Sequence, residues 1–245
     1  MRINFLIIGL NVLIGGQTLA ADSAWLLFNE NSLTYQEGNN YRVGDPQRNY
    51  WTFEHISVWT WGDVFFFRDW IREKDATENS YYMELSPRLS LGYLTDAKLS
   101  TGPIQDVFLT TTFEQGSHDF NSQLFGLGLN WTIPGFTHFE SNLYHRDTDH
   151  LAGNTWQITL AWSAPFSLGK FDFLFDGYLD TRGEEGFARR DFNFNPQLKL
   201  DWGKFLGWPG HLYSGIEYYY WNNKFGIEGV NERNISALIQ MRFSL

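Results

Sequence analysis

Three carboxylates, Asp172, Asp176 and Asp180, recur at every fourth position in a stretch that also carries Phe171, Phe173 and Phe175. In an extended strand successive side chains point to opposite faces, so this spacing sets all three acids on one wall. Two chemistries are open to such a ladder: accepting hydrogen bonds from the hydroxyls of a solute, or joining Arg88, Lys199 and Arg242 in a charge network. Other reactive groupings are sparse. His145, Asp147, Asp149 and His150 could hold a divalent cation only in a fixed geometry, which a solvated loop seldom supplies, so no metal is expected. His118 and Ser122 are the nearest approach to a nucleophile with its base, but their spacing across a loop-strand junction sets no contact, and no enzymatic activity is expected. The chain has no cysteine, which removes disulfides and thiolate metal sites. Its formal net charge of -10 argues against nucleic-acid binding. No glycine-rich phosphate loop precedes a helix, and no cofactor is expected.

The elements that must carry these residues are strands. At the C-terminus Ile235, Ala237, Ile239, Met241, Phe243 and Leu245 alternate with Ser236, Gln240, Arg242 and Ser244, which gives one apolar and one polar face. The same period recurs around Tyr81, Met83, Leu85, Leu89 and Leu91, around Phe125, Leu127, Leu129 and Trp131, and around Trp156, Ile158, Leu160 and Trp162. It returns in the Phe171 stretch and around Phe194, Leu198, Leu200 and Trp202. Weaker segments at 26–35, 51–60, 64–70, 106–114, 136–146 and 211–221 bring the total to about twelve strands. Polar connections at 36–49, 71–80, 147–154, 181–191 and 222–234 fall at one end. Tight turns at Ile133-Pro134-Gly135, Ala164-Pro165 and Gly207-Trp208-Pro209-Gly210 fall at the other, with a longer connection from Gly92 to Pro103.

Polarity decides which way such a barrel faces. A soluble barrel of about twelve strands would turn its apolar face inward and leave a wide greasy lumen that side chains fill poorly. Turned inside out, the apolar face meets lipid, the polar face lines a wet channel, and the 18% aromatic content supplies interfacial girdles. The expected fold is therefore all-β, a transmembrane antiparallel barrel with long extracellular loops and short periplasmic turns. Arg2, the apolar run from Ile3 to Ile14 and the small residues Thr18-Leu19-Ala20 read as an export signal over residues 1–20, with one barrel domain over 21–245.

The segment Met83-Glu84-Leu85-Ser86-Pro87-Arg88-Leu89-Ser90-Leu91, followed by Leu94-Thr95, Leu99-Ser100 and Gly102-Pro103, resembles the Tsx-type nucleoside-specific channels of the Gram-negative outer membrane, including their OmpK-like members. Trp61-Gly62-Asp63, then Phe65, Phe66 and Phe67, then Asp69, is similar to the same family's second hairpin. The resemblance implies a monomeric barrel in outer-membrane lipid and lipopolysaccharide that passes nucleosides and deoxynucleosides down their gradient. It also implies a surface that phages and colicins exploit, which leaves open a barrel used mainly for surface interaction with an incidental pore. The terminal Leu245 departs from the family, where Phe is commoner.

A nucleoside-selective lumen needs flat aromatic faces for a base and hydrogen-bonding groups for ribose. On strand parity the polar lining candidates are Glu84, Arg88, Glu114, Glu140, Asn142, Asp172, Asp176, Asp180, Asn195, Lys199, Glu217, Gln240 and Arg242. Tyr144, Tyr178, Tyr213 and Tyr219 share that parity and could stack bases. A register slip of one residue would turn all of them to lipid.

Overall fold

A computed structural model describes residues 25–76 and 78–244, so the export signal expected over residues 1–20 and Leu245 lie outside the described residues. Twelve strands follow one another: β1 (Leu26–Asn39), β2 (Gln47–Trp59), β3 (Gly62–Glu73), β4 (Ser80–Ser90), β5 (Ile104–Gly116), β6 (Phe120–Trp131), β7 (His138–Thr148), β8 (Thr155–Leu168), β9 (Phe171–Arg182), β10 (Asp191–Asp201), β11 (Leu212–Asn222) and β12 (Glu232–Phe243). Each is antiparallel to its neighbours, and β1 closes on β12 through Asn31↔Phe243 to Glu37↔Ala237, so no sheet edge is left open. Closure is what a sheet in lipid requires, because hydrocarbon offers no partner to an unpaired N–H or C=O.

The alternation of apolar outer and polar inner side chains holds in most strands. Leu85, Leu127, Leu143, Ile216, Ile235 and Ile239 are exposed on the outer surface, where they meet lipid. Trp25, Phe166, Trp202 and Trp208 lie near the end that holds the first and last strand ends, and Trp51, Trp70 and Trp156 lie toward the other, as two aromatic belts. The connections at this second end cover residues 40–46, 74–79, 117–119, 149–154, 183–190 and 223–231. At the first end two connections are tight, 60–61 and 169–170. The stretch 91–103 is longer and holds the helical turn α1 (Leu91–Thr95), whose N-terminus is capped by the Ser90 hydroxyl accepting from the Tyr93 N–H.

One expected turn is displaced. Ala164-Pro165 does not reverse the chain: β8 continues through it to Leu168, with Pro165 opposite Leu174, and the turn falls at 169–170. The physical reason is that β8 loses its partner β7 after His138↔Ser163, so a residue without an N–H sits where one ladder has already ended. The other strand prolines obey the same rule. Pro87 falls in a gap between Leu85↔Phe113 and Arg88↔Thr110, and Pro196 in a gap between Phe194↔Tyr220 and Gln197↔Glu217.

Candidate pore lining

The inner face is marked by buried polar side chains that reach past their neighbouring strand, as the inside of a closed wall favours. Arg88 on β4 grips Asp63 on β3 with two bonds of 2.7 and 2.6 Å and also reaches Glu140 on β7 at 2.7 Å. Tyr144 on β7 passes over Gly126 on β6 to bond Thr110 on β5 at 2.9 Å. Lys199 on β10 passes over Gly215 on β11 to Gln240 on β12 at 3.0 Å. Glycines on the inner face of β6 and β11 thus make the channels in which these long side chains lie. Gln36 on β1 bonds Glu217 on β11 at 2.7 Å, spanning β12.

Continuing the register from these struts places Glu84, Arg88, Glu140, Asp172, Asp176, Asp180, Lys199, Tyr213, Glu217, Tyr219 and Arg242 on the same inner face. The three aspartates of the ladder do not share one environment. Asp172 pairs with Lys204 of the 202–211 connection at 2.7 Å, Asp176 with Lys199 at 2.7 Å, and Asp180 accepts only from the neutral Thr159 hydroxyl at 2.5 Å and the Gln157 amide at 3.4 Å. Near the first end, Ser167, Asp172, Leu174, Asp201 and Tyr213 line a cavity of about 290 Å³.

Charges along the wall are mostly matched. Arg48 pairs with Glu73, Arg146 with Glu114, Arg182 with Asp191, and Arg242 with Glu30. The Arg146–Glu114 pair is bidentate at 2.7 and 2.5 Å and almost fully buried. Among the described residues, every basic side chain that the strands turn inward is held this way. The inward carboxylates Glu54, Asp69, Glu84, Asp180 and Glu217 form no ion pair among the described residues. They accept instead from Ser32, Thr52, Tyr82, Thr159 and Gln36 respectively. Asp69, Glu54 and the inward Tyr50 and Tyr82 were missing from the sequence-based lining. In β2 and β3 the inner face also carries Ile56, Phe65, Phe67 and Ile71, which erases the polar alternation that would have marked it.

Glu54, Asp69, Glu84 and Glu217 stand near the middle of their strands, with Asp180 a little toward the second end, and this level is the waist of the lumen. On one wall aromatic rings and amides alternate across four adjacent strands, in the order Tyr178, Asn195, Tyr219, Asn234. Asn195 and Asn234 are buried, and Asn195 Oδ1 and both amide atoms of Asn234 have no hydrogen-bond partner among the described residues.

Above the waist the 223–231 loop bends inward. Lys224 bonds Glu232 on β12 at 2.7 Å, with its ammonium 4.8 to 5.6 Å from the ring centres of Tyr41, Tyr219, Trp221 and Phe225. Asn223 and Phe225 hold left-handed φ values of 47° and 58°, a conformation that costs a non-glycine residue and that the Lys224 anchor maintains. Glu232 also accepts from the Arg42 N–H at 2.6 Å, so one carboxylate ties the 40–46 and 223–231 loops together. Burial pulls the Lys224 ammonium down to about 8, while burial lifts the Tyr41 phenol to about 12, out of the same range. Raising the external pH through about 8 therefore turns a neutral Lys224–Glu232 pair into a net negative one at the mouth. Low-salt cation current should rise with a midpoint near that pH, and Lys224→Met should flatten the step; an unchanged titration in the variant would refute the assignment.

Of the groups weighed for other chemistry, Ser122 faces inward and bonds the Asp147 carbonyl and the Thr148 hydroxyl, with His118 in the 117–119 connection and not among its partners. His145 and Asp147 share the outer parity of β7, and no group of three or more His, Cys, Asp or Glu able to hold a metal occurs among the described residues.

The family model described as nucleoside-specific channel-forming protein, Tsx, matches residues 20–237. The chain belongs to the Tsx family. Two proteins named outer membrane protein OmpK, both from Vibrio parahaemolyticus, are 35% identical over 104 residues and 32% identical over 110 residues. The first alignment covers 40% of this chain and 39% of the relative, so the match spans about two-fifths of those curated proteins. Among solved structures, the NanC porin superposes with a TM-score of 0.54 at 11% identity, covering 89% of this chain and all of that one. The KdgM porin in complex with disordered oligogalacturonate superposes with a TM-score of 0.50 at 13% identity, covering 87% of this chain and 99% of that one. These likenesses carry the fold, a porin-type barrel. Family, fold and relatives place the Tsx-family chain in the bacterial outer membrane as a channel-type protein.

Proposed function

We propose that this chain is a passive channel for nucleosides and deoxynucleosides, acts as a monomer and catalyses no reaction. The observation that carries the reading is the wall of Tyr178, Asn195, Tyr219 and Asn234 at the waist. Tyrosine faces can stack a base, the unpartnered amide atoms can bond its edge, and the neighbouring Asp180 and Glu217 can accept from ribose hydroxyls. Arg88, Glu140, Lys199, Asp176 and Arg242 act as struts that hold the wall open, while Glu84, Asp180, Glu217, Tyr213 and Tyr219 face the solute. Asp172 stands at the exit beside Lys204.

The test is single-channel conductance of the refolded barrel in a planar bilayer. Adenosine and thymidine should block the current, and glucose and adenosine monophosphate should not, since phosphate meets the carboxylate waist. Tyr219→Ala should weaken the nucleoside block about tenfold, the equivalent of about 1.4 kcal/mol of lost stacking. A conducting barrel indifferent to nucleosides would favour a second reading, a surface receptor for phage or colicin. That reading draws on Phe187, which is 84% exposed on the 183–190 loop, a loop braced against the next by the Arg189 N–H donating to the Gly226 carbonyl at 2.8 Å.

A further inference from the structure

Among the described residues, the charge left unpaired in the lumen is all of one sign. Inward basic groups are each held by a carboxylate, whereas Glu54, Asp69, Glu84, Asp180 and Glu217 have only neutral donors. β1 bonds Glu217 through Gln36 and Glu54 through Ser32, and Asp69 stands opposite Thr52, two residues from Glu54. Asp69 is in turn opposite Tyr82, which donates to Glu84, and Glu84 is opposite Glu114, whose partner Arg146 bonds the Gln157 that donates to Asp180, so one run of contacts joins these acids although they come from five strands.

A second observation is independent of those charges. Asn195, only 1% exposed, faces the same zone between Tyr178 and Tyr219 with its carbonyl oxygen unpartnered. Asn234 Oδ1 and Asp176 Oδ1 are likewise buried acceptors without a donor. A buried acceptor left unmatched costs free energy unless something that enters supplies the donor. Tyrosine rings beside such acceptors attract a cation through their negative faces. Carboxylates, bare acceptors and ring faces together suit a solute that brings both N–H donors and positive charge, and rings of acidic side chains are how pores select cations.

We propose that the waist is a binding site for organic ammonium ions, strongest for polyamines, whose separate charges can engage carboxylates on several walls at once. This rests on the channel reading, and extends its solutes from neutral nucleosides to a charged class.

The experiment uses the full refolded barrel in a planar bilayer under a KCl gradient, with spermidine as probe and ethylamine and glucose as comparisons. The expected result is a reversal potential set by potassium and a potassium current blocked by spermidine at much lower concentration than by ethylamine, with no block by glucose. Combining Asp69→Asn, Glu84→Gln, Asp180→Asn and Glu217→Gln puts an uncharged amide of the same shape at each position and should weaken spermidine block by about a hundredfold, as expected when several charge contacts are removed together. Glu84→Gln alone, which alters one wall, should weaken it in the same direction and serves if the combined variant does not fold. Equal permeability to potassium and chloride, or spermidine block unaltered in these variants, overturns the proposal. Spermidine block without nucleoside block would overturn the nucleoside reading and leave this one standing, and a folded barrel that conducts nothing would overturn both.

Discussion

Arg88→Met should cost the barrel about 3–5 kcal/mol of unfolding free energy, the range for removing one member of a buried ion pair. Arg88 is 5% exposed and is the shared partner of two carboxylates, Asp63 at 2.6 Å and Glu140 at 2.7 Å. Methionine fills much the same volume beside the Phe108 ring, over which the guanidinium lies at 4.6 Å, so the loss comes from stranding two negative charges and not from a cavity. The strut also joins β4 to β7 across two intervening strands, and such a long link stabilises closed curvature more than a neighbour-to-neighbour pair can. Urea unfolding in detergent micelles, followed by tryptophan fluorescence, reads the effect. Adding Asp63→Asn and Glu140→Gln to Arg88→Met should return a large part of the stability, because no uncompensated charge remains. Wild-type stability in the single variant, or no recovery in the triple one, would show that the strut does not act as an ion pair.

How much of this was legible in the sequence depended on whether the signal was local. Alternation is local, and it placed the strands and turned Glu84, Arg88 and the Asp172 ladder to one face, because the strand period is fixed at two. Pro165 misled for an equally local reason: proline next to alanine resembles a turn, and only the early end of β7 shows why a strand tolerates it there. Partner choice is not local. Nothing near Asp172 in the chain marks Lys204 as its mate in place of Arg88 or Arg242, and nothing near Glu140 marks Arg88. The inward Arg146 stood at the end of a segment, outside the sequence-based lining, yet makes the bidentate bond to Glu114. The Lys224 anchor was hidden most deeply, since its cage is assembled from three separate connections and strands: the 40–46 loop, β11 and β12.

The glycines of β6 offer the sharpest test of that long-range packing. Gly126→Ala should destabilise the barrel by more than about 3 kcal/mol, beyond the usual range for overpacking, whereas Gly128→Ala should cost only about 1 kcal/mol. A Cβ on Gly126 would stand 1.8 Å from the Leu143 carbonyl oxygen, which is backbone and cannot yield without opening the β6–β7 ladder. It would also rise into the path of Tyr144, whose hydroxyl bonds Thr110 and Thr112 beyond β6. A Cβ on Gly128 would stand 2.3 Å from Asn142 Oδ1, also too short, but that oxygen ends a side chain and has no hydrogen-bond partner to lose among the described residues. Asn142 can swing aside, and Leu143 cannot. The two variants add the same methyl group to alternate inner positions of one strand, so helix or strand propensity and surface area cancel between them. Unfolding free energies in micelles that fall equally would mean that the wall around Tyr144 adjusts as a whole; a loss confined to Gly126→Ala would locate the constraint in the backbone against which the tyrosine strut is laid.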